Sequence, residues 1–87
     1  MLLGAVMPES WREENQAAHL LGWYSNYFVV GHNPHEFIVD FGQHDSDDQA
    51  VKLHTRIVTG PFYAKALLDL LKASVEQYEQ RFGPILP

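Results

Sequence analysis

The stretch Tyr24-Ser25-Asn26-Tyr27-Phe28-Val29-Val30-Gly31-His32-Asn33-Pro34-His35-Glu36-Phe37-Ile38-Val39-Asp40-Phe41 decides the fold. Aromatic and β-branched residues fill Tyr24 to Gly31 and again Glu36 to Phe41, the residue types that suit a pleated strand. Between the two runs, His32-Asn33-Pro34-His35 carries an Asn-Pro turn signal. The stretch therefore reads as a β-hairpin. A loop made of those four residues sets Gly31 opposite Glu36, Val30 opposite Phe37, Val29 opposite Ile38, Phe28 opposite Val39, Tyr27 opposite Asp40 and Asn26 opposite Phe41. One face then holds Phe28, Val30, Phe37, Val39 and Phe41; the other holds Tyr27, Val29 and Ile38, with Asp40 and Glu36 among them. Both faces are largely apolar, so a helix laid on one leaves the other uncovered.

Downstream, Gly42 to Gln49, with Asp45-Ser46-Asp47-Asp48, reads as a polar loop. Val51 to Val58 reads as a third strand, with Leu53, Thr55 and Ile57 alternating against His54, Arg56 and Val58. Thr59-Gly60-Pro61 opens a helix, with Thr59 as N-cap and Pro in the first turn, where its missing N–H costs nothing. The apolar stripe of that helix is Ala64, Leu67, Leu68, Leu71, Val75, Tyr78 and Phe82, widened by Ala66 and Leu70. Lys72 and Glu76, and Gln77 and Arg81, lie four apart on its outer side. Gly83-Pro84 ends it. Such a helix is ~32 Å long, whereas an eight-residue strand spans ~26 Å. Tyr78 and Phe82 lie at its far end and need something to pack on.

Upstream, Ser10-Trp11-Arg12-Glu13 has capping-box spacing and Gly22 is a helix stop, which predicts a short helix over Trp11 to Leu21. Met1 to Pro8 is apolar, too short for the ~7–15-residue core of a signal peptide, and without a basic start. It reads as a mobile tail or an extra strand. No stretch approaches the ~20 apolar residues of a membrane span, and a cytoplasmic location is expected. The fold class is thus α+β, a three-stranded antiparallel sheet with a long C-terminal helix and a short N-terminal one. The organisation is a tail and short helix over 1–21 and a β-β-β-α domain over 22–87.

The 87 residues allow one domain, and 46% of them are hydrophobic, enough for a core. A chain of this length needs a staple, a metal or a partner to secure its margin of stability. It contains no Cys, which removes disulfides, thiolate metal sites and cysteine nucleophiles and leaves association as the simplest staple. The net charge is −5. Through residue 50 the acids outnumber Arg12 to give −7, and from Val51 onward the balance is +2. An acidic domain without a Lys/Arg cluster lacks the electrostatic attraction that nucleic acid and anionic membranes require.

Five histidines, His19, His32, His35, His44 and His54, raise a metal hypothesis. His32-x-x-His35 sits in the turn, where both rings could converge, and Asp45 or Asp47 could add oxygen ligands. No HExxH-type spacing is present, and Asp45, Asp47 and Asp48 lack the sixth-position Gly and twelfth-position Glu of a calcium loop. Turn and surface histidines and a solvated loop are the simpler reading. Asp40 lies between Val39 and Phe41 in a strand, where a buried carboxylate must be paired; Arg56 on the third strand can share its face and form a bidentate pair. No second carboxylate, His or nucleophile has a defined spacing to Asp40. Ser10, Ser25, Ser46 and Ser74 lack a G-x-S-x-G setting, and there is no Gly-rich phosphate loop. Trp11, Trp23, Tyr24 and Tyr27 form an aromatic group that packs a junction or serves as a binding surface.

Gly22-Trp23-Tyr24-Ser25-Asn26, His32-Asn33-Pro34-His35-Glu36-Phe37-Ile38-Val39-Asp40-Phe41, Arg56-Ile57-Val58-Thr59 with Pro61, Ala64-Lys65 and Leu68, and Tyr78-Glu79 with Phe82-Gly83 resemble the small prokaryotic domain-of-unknown-function family 3467. Its pattern is a Tyr-Ser/Ala-Asn strand, an H-x-P-x-E-F-x-x-D-F hairpin and an R-I-x-x-x-P-x-x-A-K-x-L helix entry. The resemblance covers roughly Gly22 to Gly83 and leaves Met1 to Leu21 outside. It departs at Asp45-Ser46-Asp47-Asp48, where relatives often carry an apolar or Gly-Pro connection. The resemblance supports the fold and implies no activity.

The expectation is a homodimer acting as a non-enzymatic interaction module for an unidentified protein partner, with no catalytic residue and no cofactor. Its interface draws on Tyr27, Val29, Leu71, Val75, Tyr78 and Phe82. The alternative is a small metal-binding protein or enzyme using His32, His35 and the Asp45–Asp48 loop. A third class, a nucleic-acid-binding regulator, requires dimerisation to gather Lys52, Arg56, Lys65 and Lys72 into one basic face.

Overall fold

A computed structural model describes residues 3–10 and 20–87. The helix expected over Trp11 to Leu21 falls mainly on residues 11–19, outside the described residues. The elements are β1 (Tyr27–His32), β2 (Phe37–His44), β3 (Val51–Thr59) and α1 (Pro61–Phe82). The strands form one antiparallel sheet in the order β1-β2-β3. The chain divides into two compact units: residues 20–61 hold the sheet, and residues 62–87 with the amino-terminal segment hold the helix.

Within the sheet unit the hairpin forms, but its register is displaced by two residues. Phe28 pairs with Phe41, Val30 with Val39 and His32 with Phe37. The cause is Asn33. Its Oδ1 accepts the backbone N–H groups of His35 (2.8 Å) and Glu36 (3.0 Å), and its own N–H donates to the Glu36 carbonyl. This Asx turn starts the loop at Asn33 and leaves His32 in β1. A displacement of two keeps every side chain on its expected face, since side chains alternate with a period of two. Phe28 meets Phe41 edge-on with ring centroids 5.8 Å apart, and His32 stacks on Phe37 at 5.4 Å. Glu36 belongs to the turn and accepts a hydrogen bond from Asn33 Nδ2.

Gly42, Gln43 and His44, expected in a loop, continue β2. Two side chains ahead of β1 extend the pairing to them. Ser25 Oγ donates to the Gly42 carbonyl (2.8 Å) and accepts the Gly42 N–H (3.1 Å). Asn26 Oδ1 accepts the His44 N–H (2.7 Å), and its Nδ2 donates to the His44 carbonyl (3.3 Å). Across β2 and β3, Phe41 pairs with Thr55 but Gly42 with Leu53, so His54 is an extra residue in β3. This bulge brings Leu53 onto the Asp40 side, away from the Thr55 and Ile57 side on which strict alternation places it. A Cβ on Gly42 would collide with the Lys52 carbonyl and crowd Leu53. Gly42→Ala is therefore expected to displace the end of β3, read as faster amide exchange at Val51 to Leu53.

In the helix unit, α1 has 22 residues. Thr59 closes β3 opposite Phe37, so the cap position falls on Gly60 and not on Thr59, while Pro61 takes the first helical position as expected. The helix stops at Gly83, whose φ of 97° suits glycine and whose N–H donates to the Glu79 carbonyl at 2.9 Å. Gly83→Ala should cost about 1 kcal/mol of stability from that backbone conformation alone, measured by urea unfolding. The Ile85 N–H donates to Glu79 Oε2, fixing the chain beyond the stop. Of the amino-terminal residues, Gly4 lies against Leu70 and Glu9 pairs with Arg81 at 3.2 Å. Five extended residues and eleven helical ones both span about 16 Å, so this segment runs alongside α1 in the same direction. Arg81, expected as a partner of Gln77, serves Glu9 instead and also lies 5.3 Å over the Phe82 ring.

Candidate functional site

Asp40 is at the middle of the middle strand, flanked across the sheet by Val29 and Arg56. It is 6% exposed. Arg56 lies directly opposite and grips it with two parallel bonds, Nε to Oδ1 at 2.7 Å and Nη2 to Oδ2 at 2.8 Å. The expected pair is thus present in fork-to-fork geometry. The Arg56 hydrogen bonds hold the Asp40 carboxyl below the usual carboxylate range, and the Arg56 charge adds to this; burial opposes them but does not prevail. The Asp40 carboxylate holds the Arg56 guanidinium above its ordinary value in turn. A carboxylate with both oxygens engaged and a depressed pKa is a poor general base.

His54, the bulge residue, has its Nε2 3.1 Å from the Tyr24 carbonyl and its Nδ1 2.7 Å from Thr55 Oγ1. The carbonyl only accepts, so Nε2 donates to it. The Trp23 ring lies 5.8 Å from the imidazole. His54 thus ties the segment preceding β1 to β3. Of the expected aromatic group, Trp23 and Tyr24 are exposed and Tyr27 less so; Trp11 lies outside the described residues.

The loop from Asp45 to Ala50 is held by its own carboxylates. Asp45 Oδ1 accepts the Asp47 N–H and Asp48 Oδ1 accepts the Ala50 N–H, each within 2.9 Å. Gln49 adopts a left-handed φ of 59° and its Nε2 donates to the Ser46 carbonyl. His32 is on β1, stacked on Phe37, and His35 is in the turn. Among the described residues no three His, Cys, Asp or Glu side chains gather as metal ligands. Protein dialysed free of adventitious ions is expected to hold no stoichiometric zinc, and a chelator should leave its melting midpoint unchanged. One-to-one zinc that is lost in His32→Ala would reverse this.

The residues named for an interface are all solvent-accessible. Tyr27 and Val29 share the Asp40 face of the sheet; Leu71, Val75, Tyr78 and Phe82 lie on α1, the last two with rings 5.0 Å apart. Among the described residues no hydrophobic side chain is buried. Sequence reasoning missed Ser25, Asn26 and His54, whose roles come from side-chain bonds to distant backbone; the signal available was the Tyr-Ser-Asn run in the resemblance. No described helix is long and apolar enough to cross a membrane.

The sequence model of a family described as protein of unknown function (DUF3467) matches residues 4–87. The match takes in most of the amino-terminal segment as well as the sheet and the helix. No curated protein and no solved structure matches the chain.

Proposed function

The chain belongs to the DUF3467 family of proteins of unknown function, and we propose that it is a homodimeric, non-enzymatic interaction module. One observation carries this reading. The sheet is a single layer with apolar side chains on both faces, Phe28, Val30 and Ile57 on one and Val29, Leu53 and Val58 on the other, all exposed. Domains need at least two layers around a core. The described residues hold one helix, and a second copy covers the apolar surface that a single chain leaves open.

The chemistry of the polar residues supports the non-enzymatic part. The only buried polar side chain among the described residues, Asp40, is neutralised by Arg56, and the loop carboxylates bond their own backbone. The cysteine-free composition suits the cytoplasm, where we place the module. Static light scattering at micromolar concentration tests the dimer. The expected mass is about twice 10.0 kDa; a mass of 10.0 kDa with a cooperative melt would refute it.

A further inference from the structure

The two edges of the sheet are not alike. Edge strands expose unpaired N–H and C=O groups, and proteins guard them with charges, Pro or bulges. β3 is guarded, with Lys52, Arg56 and the bulge at His54. β1, Tyr27-Phe28-Val29-Val30-Gly31-His32, has no Lys, Arg, Asp, Glu or Pro and no register shift.

The phase of β1 follows from its turn. Asn33 and Glu36 are a bonded pair, and bonded pairs alternate along an antiparallel ladder. Gly31, Val29 and Tyr27 therefore turn their N–H and C=O groups toward β2. Phe28, Val30 and His32 turn theirs outward.

Gly31 is a second, independent sign. Its φ is not left-handed, and a Cβ there would meet nothing within 4 Å. Among the described residues, neither backbone nor packing calls for glycine there. Glycine inside a strand often marks the close approach of another backbone.

We infer that β1 pairs antiparallel with β1 of a second copy, about a two-fold axis through Val30, joining the two sheets into one of six strands. The inference rests on the dimer reading above and names its geometry. An axis perpendicular to the sheet keeps like faces together. Centring it on Val30 pairs Phe28 with His32 of the second copy, so all three outward residues on each strand are bonded. Val29 then stands opposite Gly31. No charge faces a like charge across the seam.

The size of the seam fits a part of the interface. Tyr27, Phe28, Val29 and Val30 are 38–65% exposed, which amounts to roughly 350 Å² of side chain. A standard interface takes ~800 Å² per partner. The edge pairing sets the register, and the remaining area comes from apolar surface outside the seam.

Residue-resolved amide exchange by NMR on the intact chain, with sedimentation on the same sample, decides the question. The expected result is a dimer in which the Phe28, Val30 and His32 amides are protected as well as those of Tyr27 and Val29. A dimer in which those three amides exchange freely overturns the edge pairing and leaves the dimer reading standing. A monomer overturns both. Val30→Pro removes an N–H that β2 does not use, and should raise the dissociation constant by more than about tenfold. Val30→Lys, which keeps the N–H and adds a guard charge, should act in the same direction. Unchanged dissociation in both variants overturns the inference.

Discussion

Leu71→Asp and Phe82→Asp are each expected to abolish the dimer and, with it, cooperative unfolding. Leu71 is 59% exposed in the single chain, and Phe82 is similarly open. If those exposures described the working molecule, an aspartate at either place would change stability by no more than about 0.5 kcal/mol, as surface substitutions usually do. If a second copy covers them, each substitution buries an unpaired carboxylate in an apolar contact, a cost of several kcal/mol. The two accounts differ by enough to be separated on one urea curve. Lys72→Asp, on the outer side of the same helix, is the control and should leave the dimer intact.

The second large effect is at Asp40 and Arg56. Asp40→Asn or Arg56→Met should lower the melting midpoint by several degrees, because either leaves one group of a bidentate pair without its partner. In a double-mutant cycle the two losses should fall well short of adding, the mark of direct contact. Effects that add would mean that the pair contributes nothing jointly and would return Asp40 to the set of possible functional groups. The pair also predicts the acid limb of stability. Asp40 titrates lower in the folded chain than in the unfolded one, through the Arg56 hydrogen bonds and charge. Its contribution is therefore complete above the ordinary carboxylate value of 3.8 and disappears as the pH falls through the lower folded value. Arg56 stays charged throughout. Asp40→Asn should flatten that limb, seen by comparing melting midpoints of the two proteins between neutral and strongly acid pH.

What the sequence made legible follows the physics of each element. The face assignment of the hairpin was readable because alternation survives an even displacement, whereas its register was not, because one Asn33 side chain decides where the turn begins. Asp40 and Arg56 could be paired for the same reason: the alternation places both on one face. The end of β2 looked like loop because Gly42, Gln43 and His44 are poor strand formers; they are held in the sheet by Ser25 and Asn26, 17 and 18 residues away. The bulge at His54 has no local signal, since the alternation runs through it unbroken. The helix was readable throughout, from Pro61 to the left-handed Gly83, because stripe, start and stop agree. The histidines gave the weakest guide, as imidazole serves equally in stacking, in turns and in backbone bonds, and His32, His35 and His54 do one of each.

In the dimer proposed above, this chain completes its fold on a second copy of itself. Thermal unfolding followed over a hundredfold range of protein concentration tests this most directly, because folding coupled to association must respond to mass action. The midpoint is expected to climb steadily with concentration. A sharp transition at one temperature across the whole range, from a species of 10.0 kDa, would contradict it.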